Sequence, residues 1–140
     1  MYGRDDQVIE MTRDECWKRL RSEPIGRLAT GSGLDLDLFP ITYRCDGQSL
    51  YFRTSPGSKL AHLSVNPWCV LEVDGHTDEE AWSVVARGNA RHLHSVAELD
   101  VAESLDLETW IPGEKRDFVR IDVVSVTGRS FARADQVSRR

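Results

Sequence analysis

Apolar and polar residues alternate along several stretches of this sequence. The alternation is clearest at residues 34–38, which read Leu-Asp-Leu-Asp-Leu, and it returns at residues 118–123. A period of two is typical of a β-strand that has one buried and one solvated face. Turn residues separate these stretches, and Asp46-Gly47 is a strong hairpin signal. The pattern therefore predicts a mainly β chain with short turns.

Seven stretches have the composition of strands, at residues 25–30, 34–43, 49–54, 68–74, 81–91, 118–123 and 126–131. Pro40 has no backbone N–H, which predicts an edge, a bulge or a free backbone at this point. Gly88 predicts a bend or a close approach of two backbones. Six or seven strands with two or three short helices predict an antiparallel barrel or sandwich.

The helices are indicated by the residues that begin them. Thr12 with Glu15, and Ser95 with Glu98, have the spacing of a capping box, in which side chains satisfy free amides of the first turn. Between these two helices, Ser58 is expected to be the N-cap of another, because its hydroxyl can accept from such an amide.

The 140 residues, 40% hydrophobic and 29% charged, are typical of a single globular domain. We expect this domain at residues 12–131, with a polar arm at 1–11 and a flexible tail at 132–140. The net charge of −5 argues against nucleic-acid and anionic-membrane partners. No apolar run reaches the length of a membrane span, and three widely spaced cysteines favour reduced thiols, so a cytoplasmic protein is expected.

Residues 49–60 join a strand to a helix through a Pro-Gly pair. A helix N-terminus with free amides, the hydroxyl of Ser58 and the ammonium group of Lys59 is suited to binding a phosphate. Arg53 and Thr54, at the end of the strand, are expected to point into the same corner. The same residues are also typical of an ordinary strand, turn and capped helix. Short motifs often occur without function, so spacing alone favours this second interpretation.

The histidines, the cysteines and Arg27 are expected to have structural roles. His92 and His94 share one face of a strand but have no third ligand at a recognisable spacing, so no metal site is expected. His62 could approach a flavin or haem, but a partly buried structural role is preferred. Neither Cys16 nor Cys45 has a nearby histidine in the sequence, so nucleophilic catalysis has little support and no catalytic residue is assigned. Arg27 is expected to pair with an acidic residue, such as Asp35, Asp37 or Asp74.

A series of short segments follows in a characteristic order between residues 12 and 131. They are Pro-Ile-Gly-Arg-Leu-Ala at 24–29, Phe-Pro-Ile-Thr-Tyr at 39–43, Leu-Tyr-Phe-Arg-Thr at 50–54 leading to Gly-Ser-Lys-Leu at 57–60, Asn-Pro at 66–67, Val-Leu-Glu-Val-Asp at 70–74, Trp-Ser-Val-Val-Ala-Arg-Gly at 82–88 and Thr-Gly-Arg at 127–129. With these segments the chain resembles the pyridoxamine 5′-phosphate oxidase-like family of flavin-binding split β-barrels. It is most similar to small actinobacterial-type members that overlap the nitroimidazole-resistance branch.

The resemblance implies a six- to seven-stranded antiparallel split β-barrel that forms a homodimer and binds flavin mononucleotide (FMN) in a cleft between subunits. The residues implied for the phosphate are Arg53, Thr54, Ser58 and Lys59. The residues implied along the isoalloxazine ring, where backbone groups meet its polar edge, are Pro40, Ile41 and Thr42. Those implied to line the ring or ribityl chain are Phe52, Trp82 and Ser83, with Trp110 reaching across from the partner.

The activity that the resemblance implies is a flavin-dependent oxidoreductase with a small-molecule electron donor or acceptor. The true pyridoxamine-phosphate oxidases carry a Ser-Arg-Lys phosphate clamp, of which this sequence has only Ser58-Lys59. It also lacks the C-terminal segment that completes their substrate site, so oxidation of pyridoxamine phosphate itself is not expected. The loop at 107–114, with Trp110, Pro112 and Gly113, is expected to act as a lid. A deazaflavin-dependent reductase and a non-catalytic flavin- or haem-binding module remain as alternatives.

Overall fold

The computed structural model describes residues 8–107 and 117–133. The helices in this part of the chain are α1 (Arg13–Ser22), α2 (Ser58–Val65) and α3 (Val96–Ser104). The strands are β1 (Val8–Glu10), β2 (Ile25–Ser32), β3 (Asp35–Thr42), β4 (Arg44–Asp46), β5 (Ser49–Thr54), β6 (Trp68–His76), β7 (Glu80–His92) and β8 (Asp117–Ala132). The predicted mainly β class is therefore confirmed.

The strands form one antiparallel sheet in the order β3-β2-β6-β7-β8-β5-β4, with β1 also paired to β8. The sheet curls into the predicted split β-barrel. The long strand β8 organises the connections, because its first residues pair with β5, its last residues pair with β1, and β7 follows it along nearly its whole length.

The strand inventory differs from the prediction at three places. The stretches 118–123 and 126–131 belong to one continuous strand, β8. A separate short strand, β4, precedes the Asp46-Gly47 hairpin. Residues 8–10, expected in a loosely held arm, form β1 and pair with residues 129–131 of β8. Their local sequence is too short to indicate a strand, and only the exposed edge of β8 makes this pairing available.

The helix starts agree with the sequence at two positions and differ at the third. Thr12 forms the complete capping box with Glu15, whose Oε1 accepts from the Thr12 N–H at 2.9 Å. Ser95 is the N-cap of α3. At α2 the prediction is wrong, because Gly57 is the N-cap and Ser58 is the first helical residue. Among the described residues no helix is long and apolar enough to cross a membrane.

The two backbone signals in the sequence both have the predicted structural effect. Pro40 lies in β3, an edge strand of the sheet, where its missing N–H removes no ladder bond on the open side. Gly88 lies where the register between β7 and β8 shifts. A Cβ atom at this position would overlap the carbonyl oxygen of Asp122, so the two backbones approach as closely as the sequence indicated.

The main core lies inside the curled sheet and is closed by helices α1 and α2. Strand side chains that are fully buried there include Leu28, Phe52, Leu71, Val84 and Ile121. A second, smaller cluster lies between α3 and the neighbouring strands, and its members are Tyr51, Leu93, Ala102, Leu107 and Phe118. Strand β5 therefore has both faces buried, one against each cluster.

Candidate functional site

The residues predicted to bind the phosphate, which we call the phosphate corner, lie where β5 ends and α2 begins. Arg53 lies half-buried with its guanidinium carbon 5.1 Å from the ring centroid of Phe118. Thr54 is buried, and its Oγ1 lies 3.3 Å from the carbonyl oxygen of Ser55. Lys59 lies in the first turn of α2, with Nζ 4.9 Å from the ring centroid of Phe39 on β3.

This corner has the chemistry of an anion site. The first amides of a helix have no acceptor within the helix, and they carry the positive end of its dipole. Two cationic side chains, Arg53 and Lys59, come from the elements on either side of this helix start. The side chain of Ser58 lies outside the described part of the chain, so its predicted role is untested.

We call Pro40, Ile41 and Thr42, the residues implied along the isoalloxazine ring, the ring segment of β3, and they are exposed to different degrees. Ile41 is buried in the core, whereas Pro40 is exposed and Thr42 is half-buried. These residues pair with β2 on one side only, because β3 is an edge strand. A ligand at this edge would therefore meet the Pro40 and Thr42 side chains and backbone groups, but not the side chain of Ile41.

Phe52 and Trp82 are both core residues in the single chain. Phe52 is completely buried. Trp82 is 5% exposed, and the guanidinium carbon of Arg19 lies 4.5 Å from its ring centroid. Gly75 faces the same indole so closely that a Cβ there would lie 2.8 Å from it. A cavity of about 460 Å³ opens beside Trp82 and Ser83 and is also lined by His76, Phe131 and Arg133.

Trp82, Phe52 and Ile41 share the main core, but the sheet register places Trp82 and Arg53 far apart along the strands. Arg53 pairs with Phe118 on β8, and the next residue of β8, Val119, pairs with His92 at the end of β7. Trp82 and Ser83 lie near the beginning of β7. The ten residue steps from Trp82 to His92 correspond to about 33 Å measured along a fully extended strand. In the sheet register, Trp82 and Ser83 therefore lie towards one end of β7, and Arg53 lies towards the other end.

Trp110 and most of the predicted lid, including Pro112 and Gly113, lie outside the described residues. His92 and His94 have ring centroids 4.3 Å apart, and Nε2 of His92 lies 2.9 Å from Oδ1 of Asp117. Across residues 8–107 and 117–133, no group of three or more histidine, cysteine or carboxylate side chains could hold a metal ion.

In strand β3, the face that carries the leucines is exposed to solvent and the opposite face is partly covered. Leu34, just before the strand, is 101% exposed, and Leu36 and Leu38 are 82% and 66% exposed. The opposite face, with Asp37 and Phe39, turns towards α2. The alternation was correctly interpreted as a strand with two different faces. In the single chain, however, the leucine face is the one left open to solvent.

The exposed leucines continue onto neighbouring strands. Leu38 is directly opposite Ala29 on β2, and Ala29 is opposite Val70 on β6, so these side chains share one side of the sheet. We call Leu36, Leu38, Ala29 and Val70 the outer leucine face. Trp68, on the same side of β6, is 43% exposed. A folded monomer rarely leaves such a contiguous apolar surface uncovered.

Two polar clusters border these surfaces, and the sequence indicated only parts of them. Arg27 pairs with Asp74, as predicted, and also reaches Glu72 at 3.8 Å. Burial, a hydrogen bond with Asp74 and the charge of Asp74 raise the pKa of Glu72 to about 7, against the opposing effect of Arg27. The second cluster contains His62, Thr30 and Asp37, which no sequence spacing links.

The fold and these motifs agree with the protein family and the solved structures to which the chain is similar. The sequence model of the family "Pyridoxamine 5′-phosphate oxidase" matches residues 12–130. The chain therefore belongs to the pyridoxamine 5′-phosphate oxidase family, as the order of its motifs indicated.

Solved structures give the same result. A candidate pyridoxamine 5′-phosphate oxidase from Corynebacterium glutamicum is 34% identical with a TM-score of 0.82, over 90% of this chain and 99% of the other. The FAD binding protein from Mycobacterium smegmatis is 33% identical with a TM-score of 0.78, over 90% of this chain and 100% of the other. An FAD-binding protein from Mesorhizobium loti is 28% identical with a TM-score of 0.76, over 88% of this chain and 97% of the other.

Proposed function

We propose that this protein is an FMN-dependent oxidoreductase that works as a homodimer, with each flavin held by both subunits. The observation that carries the proposal is the division of the predicted flavin residues into two groups at opposite ends of β7. In a two-fold dimer, the Trp82 end of one subunit can meet the phosphate corner of the other. Membership of the family supports the choice of a flavin.

The outer leucine face is the surface that the partner would cover. It is contiguous over three strands, and in the single chain its two leucines are exposed while Ala29 and Val70 are half-buried. An isologous contact pairs the same patch on both subunits, so the interface would bury two copies of each exposed leucine, one from each subunit. The face also adjoins the ring segment at Pro40 and Thr42, which lies further along the same side of β3.

The phosphate of FMN fits the corner between β5 and α2. Arg53 and Lys59 supply positive charge, and the first-turn amides of α2 supply hydrogen-bond donors. The exposed edge of β3 at Pro40 and Thr42 would contact the ring, and the partner subunit's Ser83 would contact it from the other side, while the buried Trp82 supports that strand from the core. The bound flavin supplies the hydride or electron transfer, while these residues bind, orient and exclude water.

FAD and a deazaflavin are the alternatives to FMN as the bound molecule. The similar proteins from Mycobacterium smegmatis and Mesorhizobium loti are FAD-binding proteins, and a deazaflavin would use the same phosphate chemistry. The phosphate corner does not distinguish these molecules, because all of them carry a phosphate. Oxidation of pyridoxamine phosphate is not proposed, since only Ser58-Lys59 of the Ser-Arg-Lys clamp is present.

The test is to purify the protein, record its visible spectrum and identify the bound molecule by extraction and mass measurement. We expect a flavin spectrum, the mass of FMN and a dimer by light scattering. Extraction of FAD or a deazaflavin would replace FMN with that molecule, whereas extraction of haem would contradict the proposed function and favour the non-catalytic haem-binding module. A protein that binds none of these when they are added would contradict the proposed function.

A further inference from the structure

A histidine connects α2 to two strands beside the proposed phosphate corner. Nδ1 of His62 lies 3.2 Å from Oγ1 of Thr30 and 3.3 Å from Oδ2 of Asp37. Thr30 is 3% exposed, and the side chain of His62 is 15% exposed. Thr30 and Asp37 are themselves paired across β2 and β3, so one ring joins three elements.

The chemistry of this junction fixes the orientation of His62. A carboxylate only accepts hydrogen bonds, so a hydrogen bond to Asp37 requires a proton on Nδ1 of His62. The buried hydroxyl of Thr30 has the same nitrogen as a neighbour. If the imidazole moved away, the buried hydroxyl of Thr30 and the half-buried carboxylate of Asp37 would both lose this contact. The cost of that loss favours the observed rotamer of His62.

The junction and the proposed phosphate ligand lie on the same side of α2. Lys59 precedes His62 by three residues, about one helical turn, so the two side chains project from neighbouring positions. Lys59 contacts Phe39, which lies two residues after Asp37 on the same face of β3. Two contacts, Lys59 with Phe39 and His62 with Asp37, therefore hold α2 alongside β3, in the opposite chain direction.

We propose that His62 is a positioning residue for the flavin site, because its contact with Asp37 holds α2 at a fixed distance from β3. It would thereby set the distance between the phosphate ligand Lys59 and the ring segment at Pro40 and Thr42. The inference rests on the proposed function. A purely structural histidine would affect all flavins equally, whereas a positioning residue acts on the phosphate end of the ligand.

The experiment compares FMN with riboflavin, which has the same ring and ribityl chain but no phosphate. Affinities are measured by quenching of flavin fluorescence for the full-length protein and for His62→Leu. We expect FMN to bind about tenfold more weakly to the variant, equivalent to one lost charge-assisted hydrogen bond to phosphate. Riboflavin affinity should stay within about twofold, so the FMN preference falls.

Three further variants make the result decisive. His62→Gln retains a donor for Asp37 and should restore most of the FMN preference. Asp37→Asn removes the charge of the contact without removing the ring, and it gives a second measurement if His62→Leu folds poorly. Asp35→Asn is the matched control, because Asp35 is an exposed carboxylate on the same face of the same strand.

The combination with Lys59→Ala separates this inference from the proposed function. In the Lys59→Ala background, His62→Leu should cause no further loss of FMN preference, because the residue it positions is gone. If Lys59→Ala lowers the FMN preference and His62→Leu does not, the positioning role is wrong and the phosphate site stands. If Lys59→Ala has no effect, the phosphate site is wrong, and the positioning role fails with it.

Discussion

The guanidinium of Arg27 on β2 binds the carboxylate of Asp74 on β6, with Nη2 3.1 Å from each carboxylate oxygen. Glu72, the Cα partner of Arg27 across the two strands, is left beside a second carboxylate. Its burial and its interactions with Asp74 outweigh the nearby positive charge, so its pKa rises to about 7. The stability of the protein should therefore change with pH near neutrality.

The first prediction concerns Glu72→Gln. A carboxyl group with a raised pKa in the folded state contributes stability below its unfolded pKa of about 4.5, and this contribution is lost as the pH rises to about 7. Glutamine does not titrate. The free energy of unfolding of Glu72→Gln, relative to the unchanged protein, should therefore increase by about 1 kcal/mol from pH 5 to pH 8, after allowance for solvent screening.

This prediction is checked by urea unfolding at several pH values and one protomer concentration, which keeps the contribution of assembly constant. Glu103→Gln is the control, because Glu103 is an exposed carboxylate on α3. A relative stability of Glu72→Gln that does not vary with pH would show that Glu72 titrates normally.

The second prediction concerns the outer leucine face. Leu38→Lys places a charge at the centre of the proposed contact, and burial of a leucine contributes about 1.5–3 kcal/mol. Because an isologous interface contains the residue twice, the dimer should dissociate at least about 100-fold more readily. Sedimentation velocity over a range of concentrations measures this. Val96→Lys, on the exposed side of α3, should leave the dimer unchanged.

An unaltered dimer in Leu38→Lys would mean that another surface forms the contact. A monomeric unchanged protein at micromolar concentration with flavin present would contradict the homodimer itself. The two outcomes are distinguishable because the unchanged protein is measured in the same experiment.

The third prediction concerns Lys59→Ala. Loss of one charged donor to the phosphate should weaken FMN binding by about 1.5–3 kcal/mol, with little change for riboflavin. The contact with Phe39 contributes only about 0.5–1 kcal/mol, so the fold should survive. Isothermal titration calorimetry gives both affinities, and Lys18→Ala is the charge-matched control, because Lys18 is an exposed residue of α1. Equal FMN affinity in a folded Lys59→Ala variant would remove Lys59 from the site.

The fourth prediction concerns Gly88→Ala. The added Cβ would overlap the carbonyl oxygen of Asp122, and a backbone atom cannot move aside as a side chain can. We expect a loss of about 3 kcal/mol in the free energy of unfolding, measured in urea. Gly31→Ala is the comparison, because its Cβ would meet the flexible end of Leu36. A Gly88→Ala variant as stable as Gly31→Ala would show that β7 and β8 are further apart here.

The fifth prediction distinguishes an enzyme from a binding module. The cavity of about 460 Å³ beside Trp82 and Ser83 is large enough for a small donor or acceptor, which would lie next to the ring of the proposed flavin. Stopped-flow mixing with a nicotinamide donor should therefore reduce the bound flavin, and quinones or nitroaromatics should reoxidise it. A bound flavin that reacts with none of these reagents would favour the non-catalytic flavin-binding module.

Local signals in the sequence were sufficient for most of the secondary structure. Period-two alternation identified β3 and the first part of β8, and Thr12 and Ser95 identified two helix starts, because both signals depend on neighbours within a few residues. Pro40 and Gly88 identified an edge and a close approach for the same reason, since each alters its own backbone. The order of motifs also predicted the family, which the match over residues 12–130 confirms.

The tertiary structure decided what depends on distant residues. Alternation in β3 shows that its two faces differ, but only the position of α2 determines that Asp37 faces inward and the leucines face out. The strand pairing of residues 8–10 requires the free edge of β8. The separation of Trp82 from Arg53 follows from the register of β7 and β8, which no local signal encodes. The His62 junction has the same origin, because Thr30, Asp37 and His62 meet only after β2, β3 and α2 have packed together.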